Sequence, residues 1–330
     1  MSLTDLEADA SLPAAGEAQP TGRIEGRSPW QLAWARLRRD KAAMISLVII
    51  VLLVVMALVA PLISKWIGYA PAFGDRKLGV TVDGLPVGPN GHHPLGTDRL
   101  GRDLLVRAVY GARISLIVGL VSTAAATILG VVVGSVAGYF GGVVDTVLAR
   151  FMDVTLSFPY LLFAIALAAA FGASTPLTIF VITFFSWASI GRIVRGQVIS
   201  IKQREFVEAA RSLGASNMRI IFIDVIPNLL APLIVLATMT IPVAIVFEAT
   251  LSFLGAGIDP RTSSWGNMLS DATETYQVAW WTLFVPAAFL LITTLAFNIL
   301  GDAVRDALDP RSERLFAAQK AGRKNRKKKK

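Results

Sequence analysis

The sequence predicts an all-α integral membrane protein with six transmembrane helices, and three observations carry that prediction. The 330 residues are 54% apolar and only 17% charged, with a mean hydropathy of +0.59, whereas soluble domains carry about 25% charged residues. Long charge-free windows recur, each close to or beyond the roughly 20 residues a helix needs to cross hydrocarbon. Basic residues concentrate between alternate windows, as they do on the cytoplasmic side of membrane proteins. The chain has no cysteine, which excludes a disulfide framework, a thiolate metal site and a cysteine nucleophile.

Residues 1–27 are rich in Ala, Glu and Asp with Pro and Gly, and read as a disordered cytoplasmic tail. Within it, IEGR at Ile24 to Arg27 resembles a protease-cleavage tag. A cytoplasmic lead-in follows at 28–41. The window from Ala42 to Ser64 predicts the first span, 42–64; it is too long for a signal-peptide core and no small-residue cleavage site follows it, so it is expected to stay in the mature chain. The second span is placed at 114–138, in a Gly- and Ala-rich window whose small residues let helices approach closely. Val154 to Gly191 is nearly twice one span, and GASTP at Gly172 to Pro176 divides it into spans at 154–172 and 176–191. A fifth span is placed at 228–248, with Pro232 and Pro242 expected to bend it. The sixth, 280–300, opens with Trp280-Trp281, a pair suited to an interfacial belt. The spanning domain thus covers 42–310. Residues 311–330 form a basic cytoplasmic tail ending RKNRKKKK, suited to anionic membrane lipid, where each basic residue contributes about 1 kcal/mol. No aromatic residues interleave those lysines, so nucleic acid is not an expected partner.

Six spans put both termini on one side. Arg36, Arg38, Arg39 and Lys41, then Arg192, Arg195, Lys202, Arg204, Arg211 and Arg219, then the tail, make that side cytoplasmic. Lys65 to Arg113 is basic where it should be external, but the rule weakens for long loops and the other segments agree.

The segment 192–227 contains a polar interlude, VEAARSLGAS, between two apolar windows. Good helix formers run from Arg204 to Leu213, Gly214 is a natural stop, and Ser216 can cap a second helix leading to Pro227. Phe206, Ala209, Ala210 and Leu213 fall at helical spacing, a small-residue apolar face suited to a groove in another protein. By pattern alone an ordinary connector lying on the membrane surface is the leading reading.

Glu208, Ala209, Ala210, Gly214 and Pro227 stand at the spacings of the EAA loop in permease subunits of binding-protein-dependent ABC importers, with Asp224 and Ile226 replacing the loop's Ile and Leu. HPLGTDRLGRDLLVRAVYGARISLIVG from His93, EATLSFLGAGIDPRTSSWGNMLSDA from Glu248 and SPWQLAWARLRRDKAAMISL from Ser28 resemble the C-type permease of dipeptide and oligopeptide importers. Together the resemblance spans roughly Ser28 to Pro310. It implies the type I importer (MetI-like) permease fold, a multi-pass protein of the bacterial cytoplasmic (inner) membrane. The 192–227 loop would carry a coupling helix seated on an ATPase. Implied partners are a second homologous permease, two ATPase domains or subunits, and an extracytoplasmic solute-binding protein. ATP and Mg would be held by those partner subunits and no cofactor by this chain, in which no Gly-Lys dipeptide occurs to build a P-loop. The chain is therefore not expected to be an enzyme. Peptides are the implied cargo; nickel or another small solute is the alternative within the class, and an ATPase-independent secondary transporter or channel the alternative outside it.

Asp98, Arg102 and Asp103 lie where basic, acidic and apolar residues alternate at near-helical spacing up to Arg113. They read as a surface helix held by weak ion pairs, as part of an external platform for the binding protein, or as both. Glu248, near the end of its window, is a candidate gate or structural hydrogen-bonding residue, an ionisable group at membrane depth being functional by default. Asp145, Arg150 and Asp153 either meet the ATPase or pair with each other. Adjacent His92 and His93 point apart on an extended loop and read as loop structure, not metal ligands.

Overall fold

A computed structural model describes residues 29–74 and 78–309; the tails at 1–27 and 311–330 lie outside the described residues. The chain is helical, its loops carrying only the isolated bridges Gly74–Arg102, Val80–Pro86 and Thr97–Asp103 among those residues. α1, Pro29–Leu37, ends in a tight turn. Asp40 then accepts the amides of Ala42 and Ala43 at 2.9 and 3.2 Å, capping α2, Lys41–Leu58. Pro61 opens α3, Ala60–Ile67, which closes on Gly68. The first crossing is therefore α2 continued by a second short helix.

α4, Leu104–Phe140, has 37 residues, about 55 Å at 1.5 Å per residue. It absorbs the stretch before 114 that the sequence assigns to a separate surface helix. The sequence's third span, 154–172, is not one straight helix. α5, Gly142–Ser157, and α6, Tyr160–Phe171, meet at a bend of 78°. Pro159 is the cause: it drives Phe158 into extended backbone (φ −72°, ψ 133°). α6 alone spans only about 18 Å. GASTP acts as read, with Gly172 ending α6 and Ser174 capping α7, Thr175–Ile201, which runs well past 191.

After α8, Glu205–Ser212, a helical run extends without interruption from Asn217 to Phe253: α9, Asn217–Arg219, a π-helical turn, Ile220–Val225, and α10, Ile226–Phe253. The π turn sits immediately before Pro227. A proline inside a helix cannot donate to the carbonyl four residues back and collides with it; the wider turn accommodates both defects. The helix leading to Pro227 is thus continuous with the helix that carries the fifth span. α11, Trp265–Ala272, and α12, Trp281–Leu308, complete the chain. Among the described residues, five helical runs are long and apolar enough to cross a membrane, and the bent α5–α6 pair meets the same length and composition when taken as one broken span.

α4 and α7 run parallel, with the glycines of one against the backbone of the other. A Cβ on Gly134 would lie 2.5 Å from the carbonyl oxygen of Gly191, so only glycine permits this approach. The crossings leave two ends. Leu104, Ala108, Leu53 and Trp265 pack at what we term the cap end; Val198, Val207 and Ile220 pack with Trp187 toward the loop end. Arg36 donates to the carbonyl of Ala307 at 3.2 Å, so the described chain begins and finishes at the loop end.

Candidate functional site

At the loop end, α8 projects from the bundle. Glu205 and Glu208 occupy its first turn, where the helix dipole favours acids. Gly214, at φ +80°, turns the chain away after Leu213, and the Ser216 hydroxyl accepts the Arg219 amide at 3.4 Å. Glu208, Ala209, Gly214 and Pro227 are all exposed, and Leu213 is 88% exposed. The apolar face read from the sequence divides in two. Phe206, Ala209 and Leu213 face outward, whereas Ala210 packs inward beside Val207, which is fully buried. Val207 roots the helix; in the sequence it looks like any other apolar residue of the motif.

Both flanks of α8 are tied to the last turn of α4. Lys202 Nζ, before the helix, donates to the carbonyl of Gly138 at 2.7 Å and of Tyr139 at 3.3 Å, satisfying carbonyls that a helix end leaves without partners. After it, the Tyr139 hydroxyl donates to Asn217 Oδ1 at 3.0 Å. The segments on either side of α8 are thereby hydrogen-bonded to the last turn of α4. Sequence reasoning missed Lys202, Tyr139 and Asn217, because no spacing rule joins positions so far apart.

Asp145, Arg150 and Asp153 are engaged within the chain. Arg195 forms a two-bonded pair with Asp145, Arg192 donates to Asp153 at 2.7 Å, and Arg150 lies 3.8 Å from Asp153. The pairs made by Arg192 and Arg195 fasten α5 to α7, and the Arg150–Asp153 pair lies within α5.

The cap end is built differently. Asp98, Arg102 and Asp103 are only 3%, 6% and 1% exposed, so the expected surface helix is instead an internal ion cluster. One oxygen of Asp98 accepts the amides of Leu100 and Arg102; the other accepts Arg102 Nε at 2.6 Å and Arg107. Asp271 of α11 accepts Arg102 at 2.6 Å and lies 2.9 Å from Arg107 Nη1. Asp103 caps α4 through the Val106 amide and takes His93 Nδ1 at 2.9 Å. His93 is fully buried while His92 is exposed, so the two do not share a site. The cluster pins the loop before α4 onto α4 and α11, helped by Trp265, which donates to the Ala108 carbonyl at 3.0 Å.

Glu248, near the end of its apolar window, is fully buried. Ser115 of α4 donates to one oxygen at 2.6 Å and Ser252 to the other at 2.8 Å; Ser252 in turn accepts the Ile258 amide at 3.1 Å. The carboxyl group ties α4, α10 and the loop toward α11 into one knot.

Comparison with known proteins follows the same lines. Residues 130–314 match the family described as binding-protein-dependent transport system inner membrane component, and residues 28–76 match the N-terminal TM domain of oligopeptide transport permease C. The chain is 43% identical over 285 residues to the dipeptide transport system permease protein DppC of Bacillus subtilis (strain 168), covering 86% of each chain. It is 41% identical to the oligopeptide transport system permease protein OppC of Escherichia coli (strain K12), covering 87% of this chain and 93% of that one. Among solved structures, an inward-facing MetNI methionine ABC transporter chain aligns with a TM-score of 0.52 at 19% identity, over 62% of this chain and 98% of that chain; this shows a shared fold.

Proposed function

The chain belongs to the family of binding-protein-dependent transport system inner membrane components, and on that premise we propose that it forms half of the translocation pathway of an ATP-driven importer of peptides. Its relatives named as dipeptide and oligopeptide permeases support the cargo class. The loop end is cytoplasmic and carries the ATPase contact. Around this chain stand a second permease, two ATPases that hold ATP and Mg, and an external solute-binding protein at the cap end. The chain itself performs no catalysis. Glu208, Ala209 and Leu213 meet a groove of the motor, with Gly214 turning the chain out of it and Pro227 marking the foot of the fifth span. Closure of the two motors on ATP moves α8, and the Lys202 and Asn217 ties carry that motion into α4.

The observation that carries this reading is α8 itself: an exposed helix with Leu213 almost bare, rooted by Val207 and tied on both flanks to α4. Gly214→Pro tests it. Proline fixes φ near −65°, incompatible with the +80° found here, so the turn after α8 must rearrange while the spans insert normally. ATP hydrolysis in the reconstituted importer is expected to continue without uptake. Normal uptake by this variant would overturn the proposal.

A further inference from the structure

We propose that α1 is an interfacial anchor whose outward face binds anionic phospholipid, with Trp30 and Trp34 in the headgroup layer and Arg38, Arg39 and Lys41 at the phosphates. The helix has two distinct faces. Leu32, Ala33, Arg36 and Leu37 are half-buried where α1 packs on α12. Arg36 Nη1 donates to the carbonyls of Ala307 and Asp309 at 3.2 and 3.4 Å, occupying acceptors that the end of α12 leaves open. On the other face, Trp30 and Trp34 are 48% and 50% exposed, and Arg38 is exposed one turn further on. Spacing of four residues aligns the three in a row.

Position argues for lipid as strongly as composition does. Only Arg38, Arg39 and Asp40 separate α1 from α2, a span that begins at Lys41. The exposed tryptophans therefore sit where hydrocarbon gives way to headgroups, the layer that tryptophan favours. The one acid in this stretch, Asp40, is committed to the amides of Ala42 and Ala43, which leaves Arg38, Arg39 and Lys41 as an exposed basic cluster. That charge complements an anionic headgroup, and each basic residue near an anionic surface strengthens attraction about fivefold. An amphipathic helix of this kind lies in the interface plane. With nine residues it is too short to be stable alone, and α12 holds it in place.

The absence of cysteine allows a direct test. Ala35→Cys, on the exposed face, is labelled with bimane in the assembled importer and reconstituted into vesicles of phosphatidylcholine with or without phosphatidylglycerol, against the importer lacking that cysteine. Quenching by lipid bearing a nitroxide near the headgroup is expected to be at least about twofold stronger with phosphatidylglycerol, and to weaken at high salt. Arg38→Gln with Arg39→Gln and Lys41→Gln should abolish the difference, whereas Arg38→Lys with Arg39→Lys should keep it. Equal quenching in both vesicle types overturns the proposal. So does the absence of quenching together with cross-linking of position 35 to the second permease, which would make the face a protein interface.

Discussion

The two ends of the molecule treat charge and apolar surface in opposite ways. At the cap end, Asp98, Arg102 and Arg107 are withdrawn from water and paired with one another and with Asp271, while buried Asp103 pairs with His93. At the loop end, Glu208, Arg211 and Leu213 stand in the open on a helix held by one buried residue and two ties. A buried ion pair contributes little net stability but is strongly destabilising when one partner is removed, so the cap end is a finished structure. The loop end leaves Leu213 and its neighbours on α8 bare, the surface that the proposed ATPase contact would cover. Damage at the first should destroy the protein, and damage at the second should spare it while silencing transport.

The largest effect is expected from Arg107→Met, which leaves Asp98 and Asp271 with one cation fewer inside the cap. A loss of about 3–5 kcal/mol, read as a lowered midpoint of thermal unfolding in detergent, is the expected outcome; unchanged stability would mean that the cap charges are solvated. Gly134→Val attacks the α4–α7 seam that joins the two ends. Its added carbons meet the Gly191 backbone, and overpacking costs about 1–3 kcal/mol or more, visible as reduced yield of folded chain. Tyr139→Phe removes one hydrogen bond, about 1 kcal/mol, yet should lower the peptide imported per ATP hydrolysed, because the far flank of α8 loses its tie to α4. Unaltered coupling in that variant would leave Lys202 as the sole relay. Glu208→Arg is expected to shift stability by no more than about 0.5 kcal/mol, as exposed substitutions do, while losing the ATPases in a mild-detergent pull-down. Should the ATPases remain bound, the difference drawn between the ends does not extend to partner recognition.

How much of this was legible in the sequence varied with the range of the interaction responsible. Every apolar window but 154–172 corresponds to a long apolar helix, because transfer to hydrocarbon is a property of a segment's own composition. GASTP, Gly214 and Ser216 act as turn and cap signals for the same local reason. Pro159 is a local signal for the bend between α5 and α6 that the reading of 154–172 as one span does not use. Of the readings open for the cap cluster, burial corrects the solvated surface helix. Alternating charges look the same whether they face water or each other, and the partner that decides the matter, Asp271, lies far along the chain.

Composition and local pattern, then, determined by themselves the long apolar helices, their order and the presence of a polar helix before the helical run that begins at Asn217. Backbone hydrogen bonding within a segment and the avoidance of water by its side chains act over a few turns of helix. Only the tertiary structure decided that Asp98 and Arg107 are internal, that Glu248 is enclosed by Ser115 and Ser252, and that Lys202 and Asn217 bind α8 to the end of α4. Each of those outcomes requires groups distant in sequence to displace water from one another, and that depends on which helices pack together.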